Sequence, residues 1–349
     1  MSDNQGLSGQ QIAEFAAGIL IQVGMSEGDA AIVGDALAWA DLRGIAAQGL
    51  AKLPIIVARL RAGGTSPNPK VTVVQESPVV TVFDAADEWG HVSGVRAMRA
   101  AVAKAKRVGA GISLVRNTST ASAMGYYANV AAEQGVIGLA LNNGAPLLRT
   151  WGGTTELLGN QAFAIGVPSR RHAPLLLDTA LSAITLTAIQ ELLARGMALP
   201  AGLALNAAGD PTTDPEEALG GSLLPSGGHR GYGLAIMFEA LTGLLSGSAR
   251  FAEDVTPLED VRRPQSVSHF MLAIDPGVSM PLDQFRARVD DLIDRIHTSV
   301  PAAGVDQVRV PGERSATYAA AREENGVLFP AGRLAELRDL GAEFDVYWR

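Results

Sequence analysis

Between residues 71 and 274, short β-branched runs alternate with stretches whose apolar residues recur every three or four positions. That alternation confines the chain to an α/β architecture, because the two periods belong to strands and helices respectively. Strands are expected at 71–74, 79–83, 112–115, 136–141, 163–167, 175–177 and 270–274. Helices are expected at about 92–108, 124–133, 182–195 and 282–298, and one more carries Leu234, Met237, Phe238, Leu241 and Leu245. Residues 198–230 read as loop-rich.

Both ends of the chain read as helix. Ser8 with Gln11, and Ser26 with Asp29, have the spacing of helix N-caps, and Ile12, Phe15, Ala16 and Ile19 share one helical face. A third helix is expected at about 51–62, with Pro54 tolerated in its first turn and Gly63-Gly64 ending it. Helical patterns return at 315–323 and 332–340. The expected organisation is a helical domain from 1–70 plus 280–349, built from both chain ends, around a mixed-sheet domain at 71–279.

Composition excludes several roles. With 47% hydrophobic and 18% charged residues, the 349-residue chain can bury a core, so disorder is excluded as its main state. A net charge of −8 argues against a nucleic-acid partner, which needs a basic face. The absence of cysteine excludes disulfides, thiolate metal sites and a cysteine nucleophile, and fits a reducing cytoplasm. No apolar run approaches the ~20 residues of a membrane span, and no signal peptide is visible. A cytoplasmic protein with no membrane partner is expected.

The common nucleotide signatures are missing. Gly109/Gly111 and Gly231/Gly233 are the Gly-x-Gly pairs, and neither is followed by glycine three positions on. There is no Walker A sequence, and no histidines stand four apart as a helical metal pair, so no metal is expected. The stretch Pro225-Ser226-Gly227-Gly228-His229-Arg230-Gly231 leads into a helix, so its amides and Arg230 suit an anion. The same stretch also reads as an ordinary glycine-rich helix entry. Asp41-Leu42-Arg43-Gly44 at a helix end, and Asn117-Thr118-Ser119-Thr120 and Asn142-Asn143-Gly144 after strands, lie where α/β proteins place ligands.

Taken together, these segments resemble the malate/L-lactate dehydrogenase family, which lacks a Rossmann fold. The resemblance runs through Ala40-Asp41-Leu42-Arg43-Gly44, Gly125-Tyr126-Tyr127-Ala128, Trp151-Gly152-Gly153, Leu177-Asp178-Thr179-Ala180, the block from Gly227 to Gly233, and Pro311-Gly312-Glu313-Arg314. It covers nearly the whole chain. It implies a non-Rossmann α/β/α cofactor domain, NAD or NADP, a small-molecule substrate and a homodimer. The cofactor residues it carries over are Asp178, Thr179, Ala180, His229, Arg230, Gly231, Gly312, Glu313 and Arg314.

The departures fall on the chemistry. Where the family has Asp-Ser-His-Gly followed by an arginine, this chain has Ala46-Ala47-Gln48-Gly49 and then Lys52. The family's second histidine position is Thr120, within Asn117-Thr118-Ser119-Thr120-Ala121-Ser122. Thr-Asn-Pro becomes Asn160-Gln161-Ala162. Alcohol oxidation needs a base that titrates near the working pH, and neither Gln48 nor Thr120 does. One reading is an NAD(P)-dependent oxidoreductase for a small 2-oxo or 2-hydroxy acid or a cyclic imino acid. Its catalytic positions would be Gln48 and Thr120, with Lys52, Ser119 and Ser122 binding substrate. A protonated imine suits such a site, since its electrophile already carries the proton. The alternative is an inactive member that binds a ligand or cofactor. Arg170 and Arg171 read either as partners of a 2′-phosphate or as a solvated pair.

Overall fold

The computed structural model describes residues 6–121, 123–248 and 251–348. Ser122, one of the expected substrate residues, lies outside them. Helices α1 (Gly9–Gln22), α2 (Glu27–Leu42) and α3 (Leu53–Ala62) open the chain, followed by β1 (Thr72–Glu76), β2 (Val80–Glu88) and α4 (Gly90–Val108). Next come β3 (Ala110–Thr118), α5 (Met124–Glu133), β4 (Ile137–Asn142), β5 (Leu148–Arg149), β6 (Glu156–Leu158), β7 (Phe163–Val167), β8 (Leu175–Thr179) and α6 (Leu186–Ala194). Then follow β9 (Ala204–Leu205), β10 (Pro211–Thr212), α7 (Pro215–Leu219), β11 (Ser222–Leu223), α8 (His229–Glu239), β12 (Val267–Ile274), α9 (Leu282–His297), α10 (Glu313–Asn325) and α11 (Ala331–Glu343).

The seven strands expected from the sequence form one mixed sheet in the order β1-β2-β3-β12-β4-β7-β8. Only β2 and β3 run parallel; every other neighbouring pair is antiparallel. This is not the doubly wound parallel sheet of dinucleotide folds. β12 is inserted between β3 and β4 and shows why its sequence reads as a strand buried on both sides. Met271 and Ala273 join the core under α4 and α5, while Phe270 and Leu272 face the opposite cluster with Leu114 and Leu141.

A second apolar cluster joins α1, α2 and α3 to Val327 and Leu337 near the other end of the chain. Leu7 and Val327 exchange backbone hydrogen bonds, and Phe15 stacks on Trp348 with ring centroids 3.6 Å apart. The N-caps read from sequence form as expected: the Ser8 hydroxyl accepts from the Gln11 amide at 3.1 Å, with the Gln11 side chain returning the bond.

One stretch differs from its sequence reading. Residues 198–230 contain α7 and three strands of a small sheet ordered β10-β9-β11-β5-β6. Its strands are two or three residues long and meet through one or two residue pairs, too short for a period to show.

Candidate active site

Register brings several loops to one edge of the large sheet. The Asn142 amide donates to the Ala162 carbonyl at 3.1 Å, and Ala164 pairs with Asp178 across β7 and β8. Asn142, Gln161 and Thr179 therefore sit in neighbouring rows at the strand ends. The turn after α2 approaches this edge from the helical layer, fixed from inside by Asp41. The Asp41 carboxylate accepts the Leu50 amide at 2.8 Å, and its carbonyl accepts Arg322 Nη1 at 2.5 Å. The Pro311 carbonyl accepts the Leu176 amide at 3.0 Å, so the turn before α10 lies along β8. Gly312 adopts φ 88°, and a side chain there would meet the Leu176 backbone.

These segments enclose a cavity of about 580 Å³. Its wall brings together Gln48, Thr120, Asp178, Thr179, Ala180, Gly312 and Arg314 from the sequence expectations. Gln48 and Thr120, 72 positions apart, do share one cavity with the Asp178 segment. The Thr120 amide donates to Gln265 Oε1 at 3.1 Å, which holds the residue's backbone. The wall contains no histidine, cysteine or glutamate among the described residues, and its single carboxyl is Asp178. Burial pushes the Asp178 pKa up to about 6, against the opposing pull of the Gly125 amide at the start of α5.

Other expected residues stand elsewhere. Ser119 is buried, and its hydroxyl accepts the Gly90 amide at 2.9 Å, so it braces α4 instead of lining the cavity. Lys52 is not in the wall; burial lowers its pKa, opposed by the Glu259 carboxylate. His229 and Arg230 are exposed and Gly231 is buried in the first turn of α8; none of the three lines this cavity. Glu313 points to the back of its turn, where its carboxylate accepts the Val310 amide and faces His297 Nε2, both at 3.0 Å. Arg171 is tied to Asp294 at 2.6 Å and Asp290 at 3.3 Å, the ion-paired form of the solvated reading.

Two features of the wall add to what segments 41–44 and 142–144 promised in the sequence. The first is a buried amide cluster: Glu239 accepts Gln161 Nε2 at 2.6 Å and Asn143 Nδ2 at 3.3 Å. A carboxylate can only accept, so it fixes both amides with their nitrogens inward. Gln161 Oε1, Asn142 Oδ1 and Gln48 Oε1 are left buried without partners. The second is Arg43, which lies over the Trp39 ring at 4.2 Å from its centroid. Glu239 is a lone charge in an apolar helix with no motif around it, while Arg43 lies in a segment already placed among the ligand-approaching ones.

A cavity of about 580 Å³ at the strand ends of a mixed sheet defines the class, an α/β enzyme with a small-molecule site. The chain belongs to the malate/L-lactate dehydrogenase family, whose model matches residues 7–338, and it is an oxidoreductase. A malate dehydrogenase from Pyrococcus horikoshii is 32% identical over 346 residues, spanning 96% of this chain and 94% of its own. Sulfolactate dehydrogenase from Methanocaldococcus jannaschii superposes with a TM-score of 0.92 at 31% identity, covering 98% of each chain. Delta1-piperideine-2-carboxylate reductase from Pseudomonas syringae pvar. tomato superposes with a TM-score of 0.87 at 26% identity, covering 97% of this chain and 100% of its own. Family members act on small hydroxy or oxo acids or on imino acids, and the dehydrogenases among them use nicotinamide cofactors. No helix among the described residues is long and apolar enough to cross a membrane.

Proposed function

We propose that the protein is an NAD(P)-dependent oxidoreductase for a small 2-oxo or 2-hydroxy acid or cyclic imino acid, working without a site histidine. The observation that carries this reading is the convergence of Gln48, Thr120, the Asp178-Thr179-Ala180 segment, Gly312 and Arg314 on one cavity. A nicotinamide dinucleotide fits the donor set. Arg309 and Arg314 supply positive charge beside Gly312, where backbone can approach, and the unpartnered amide oxygens supply acceptors. Asp178, Thr179, Ala180, Gly312 and Arg314 would hold the cofactor, which when bound supplies a hydride to the substrate carbon.

The chain's own residues do the rest. Thr120 and Gln48 hold the reacting group by neutral hydrogen bonds and orient it in the cleft. Asp178 is the one carboxyl in the wall and is protonated below about pH 6. A site so poor in bases suits an electrophile that arrives already protonated, which supports the imino-acid branch. The second reading is an inactive member that binds cofactor without turnover, favoured by the same absence of histidine from the wall. We further propose a homodimer, supported by exposed Leu234, Met237, Leu244 and Leu245 in and after α8.

Fluorescence titration with NADH and NADPH, followed by a panel of 2-oxo acids and cyclic imines, tests the reading. We expect binding of one reduced cofactor and turnover of at least one panel member. Tight binding with no turnover on any of them would select the second reading.

A further inference from the structure

Arg43 is a cation with no ion-paired carboxylate among the described residues. Its guanidinium is partly buried at the end of α2 and lies on the face of Trp39. No hydrogen bond or ion pair to a carboxylate is found for it among the described residues, although Glu133 and Glu323 act on it at longer range. Burial pushes its pKa below the ordinary arginine value. The Trp39 face is the aromatic contact it has, at 4.2 Å from the ring centroid. The two other guanidinium groups of the wall, Arg309 and Arg314, are exposed to solvent.

An anionic ligand group is what such a guanidinium lacks, since its planar fork takes both oxygens of a carboxylate. The three guanidinium groups of the wall come from two segments of the chain. Arg309 and Arg314 flank Gly312 on the turn that lies along β8, near the Asp178 segment. Arg43 belongs to the turn that carries Gln48, five positions on, and shares its wall with Thr120. Of the three guanidinium groups in the wall, Arg43 is the one on the turn that carries Gln48. Lys52, the cation that sequence reasoning offered for a carboxylate, stands outside this wall.

We propose that Arg43 is the anchor for the substrate's carboxylate and so selects acid substrates over their neutral analogues. The proposal rests on the small-acid reading above, and it concerns binding alone, with no bond made or broken at Arg43.

The test is calorimetry with oxalate as the probe, with and without saturating reduced cofactor, on the wild-type protein, Arg43→Gln, Arg43→Lys and Lys52→Gln. We expect wild-type binding, weakened about 10- to 100-fold in Arg43→Gln, as for loss of a charged hydrogen-bonding partner. Arg43→Lys should recover part of the loss. The NADH dissociation constant should stay within about threefold, and KM for an active 2-oxo or imino acid should rise far more than kcat falls. Its carboxamide analogue should be indifferent to the change. Thermal unfolding of Arg43→Gln should change only slightly, since the contact it gives up is the Trp39 face.

Oxalate that fails to bind wild type at millimolar concentration would overturn the proposal. So would a selective loss in Lys52→Gln with Arg43→Gln unaffected. Weakened NADH binding with unchanged oxalate binding would assign Arg43 to the cofactor's phosphates and overturn it as well. If oxalate responds as expected but no panel member turns over, the anchor stands and the proposed activity fails.

Discussion

Asp41 packs against Gly49 with its carboxylate accepting the Leu50 amide, and burial pushes its pKa up to about 7 despite that bond and the charges of Arg322 and Arg333. An aspartate in the unfolded chain titrates near about 3.9. The folded state therefore holds this proton more tightly, and its contribution to stability is greatest below about pH 4 and is lost as pH rises to about 7. Asp41→Asn removes that dependence. Relative to wild type we expect a higher melting temperature for the variant at pH 8 and little difference at pH 4, measured by thermal unfolding at both. An equal difference at the two pH values would exclude the protonation cause. The same scale shows where sequence reading ended. Gln48, Thr120 and Asp178 were legible because short motifs fix their place along the chain. The segment of Arg43 was legible too, but not the side chain's role, because that lies in the partner it lacks, and a missing partner has no sequence signal. Ser119 and Lys52 sat in the right motifs, but whether a side chain faces a cavity or a neighbouring helix depends on packing across distant segments.

Among elements, α4 holds the segment that carries Thr120. Its N-cap residue Trp89 makes no side-chain cap, and the Gly90 amide is instead satisfied by Ser119 Oγ, 29 positions away, at 2.9 Å. A side chain at Gly90 would run into the Ser119 and Thr120 carbonyls. That close approach is what lets the β3–α5 connection bring Thr120 to the cavity. Gly90→Ala should cost about 1–3 kcal/mol as overpacking against backbone. We expect urea unfolding to show that loss together with weaker oxalate binding, because the shift is forced on the segment that carries Thr120. Unchanged stability would mean the connection moves aside freely. The strands of the large sheet were legible because each is a run of several β-branched or apolar residues flanked by turn formers. The small sheet was not, since Ala204–Leu205 and Ser222–Leu223 carry two residues each, and tertiary pairing alone makes them strands.

At the scale of the whole molecule, the two chain ends close on each other through Leu7, Phe15, Leu337 and Trp348, and this places the turn before α10 against β8. The molecule's other large apolar surface has no such cover. Along α8 and the turn that extends it, Leu234, Met237, Leu244 and Leu245 are each about half exposed, while Ala235 and Glu239 of the same helix are buried. One face of this helix thus seals the sheet and the amide cluster of the cavity, and the other presents large apolar side chains to water. Isolated exposed leucines are ordinary, but several on one helix mark an interaction surface. A second copy of the chain is the partner we propose, so sedimentation velocity should give a mass twice 36.3 kDa. Met237→Asp with Leu245→Asp should shift the protein to monomer, because two charges would be buried unpaired at the interface. Since Glu239 on the same helix holds Gln161 and Asn143 in the cavity wall, we also expect the monomeric variant to bind cofactor more weakly. A wild-type protein that sediments as a monomer at micromolar concentration, or a double variant that remains dimeric, would remove this face from the assembly.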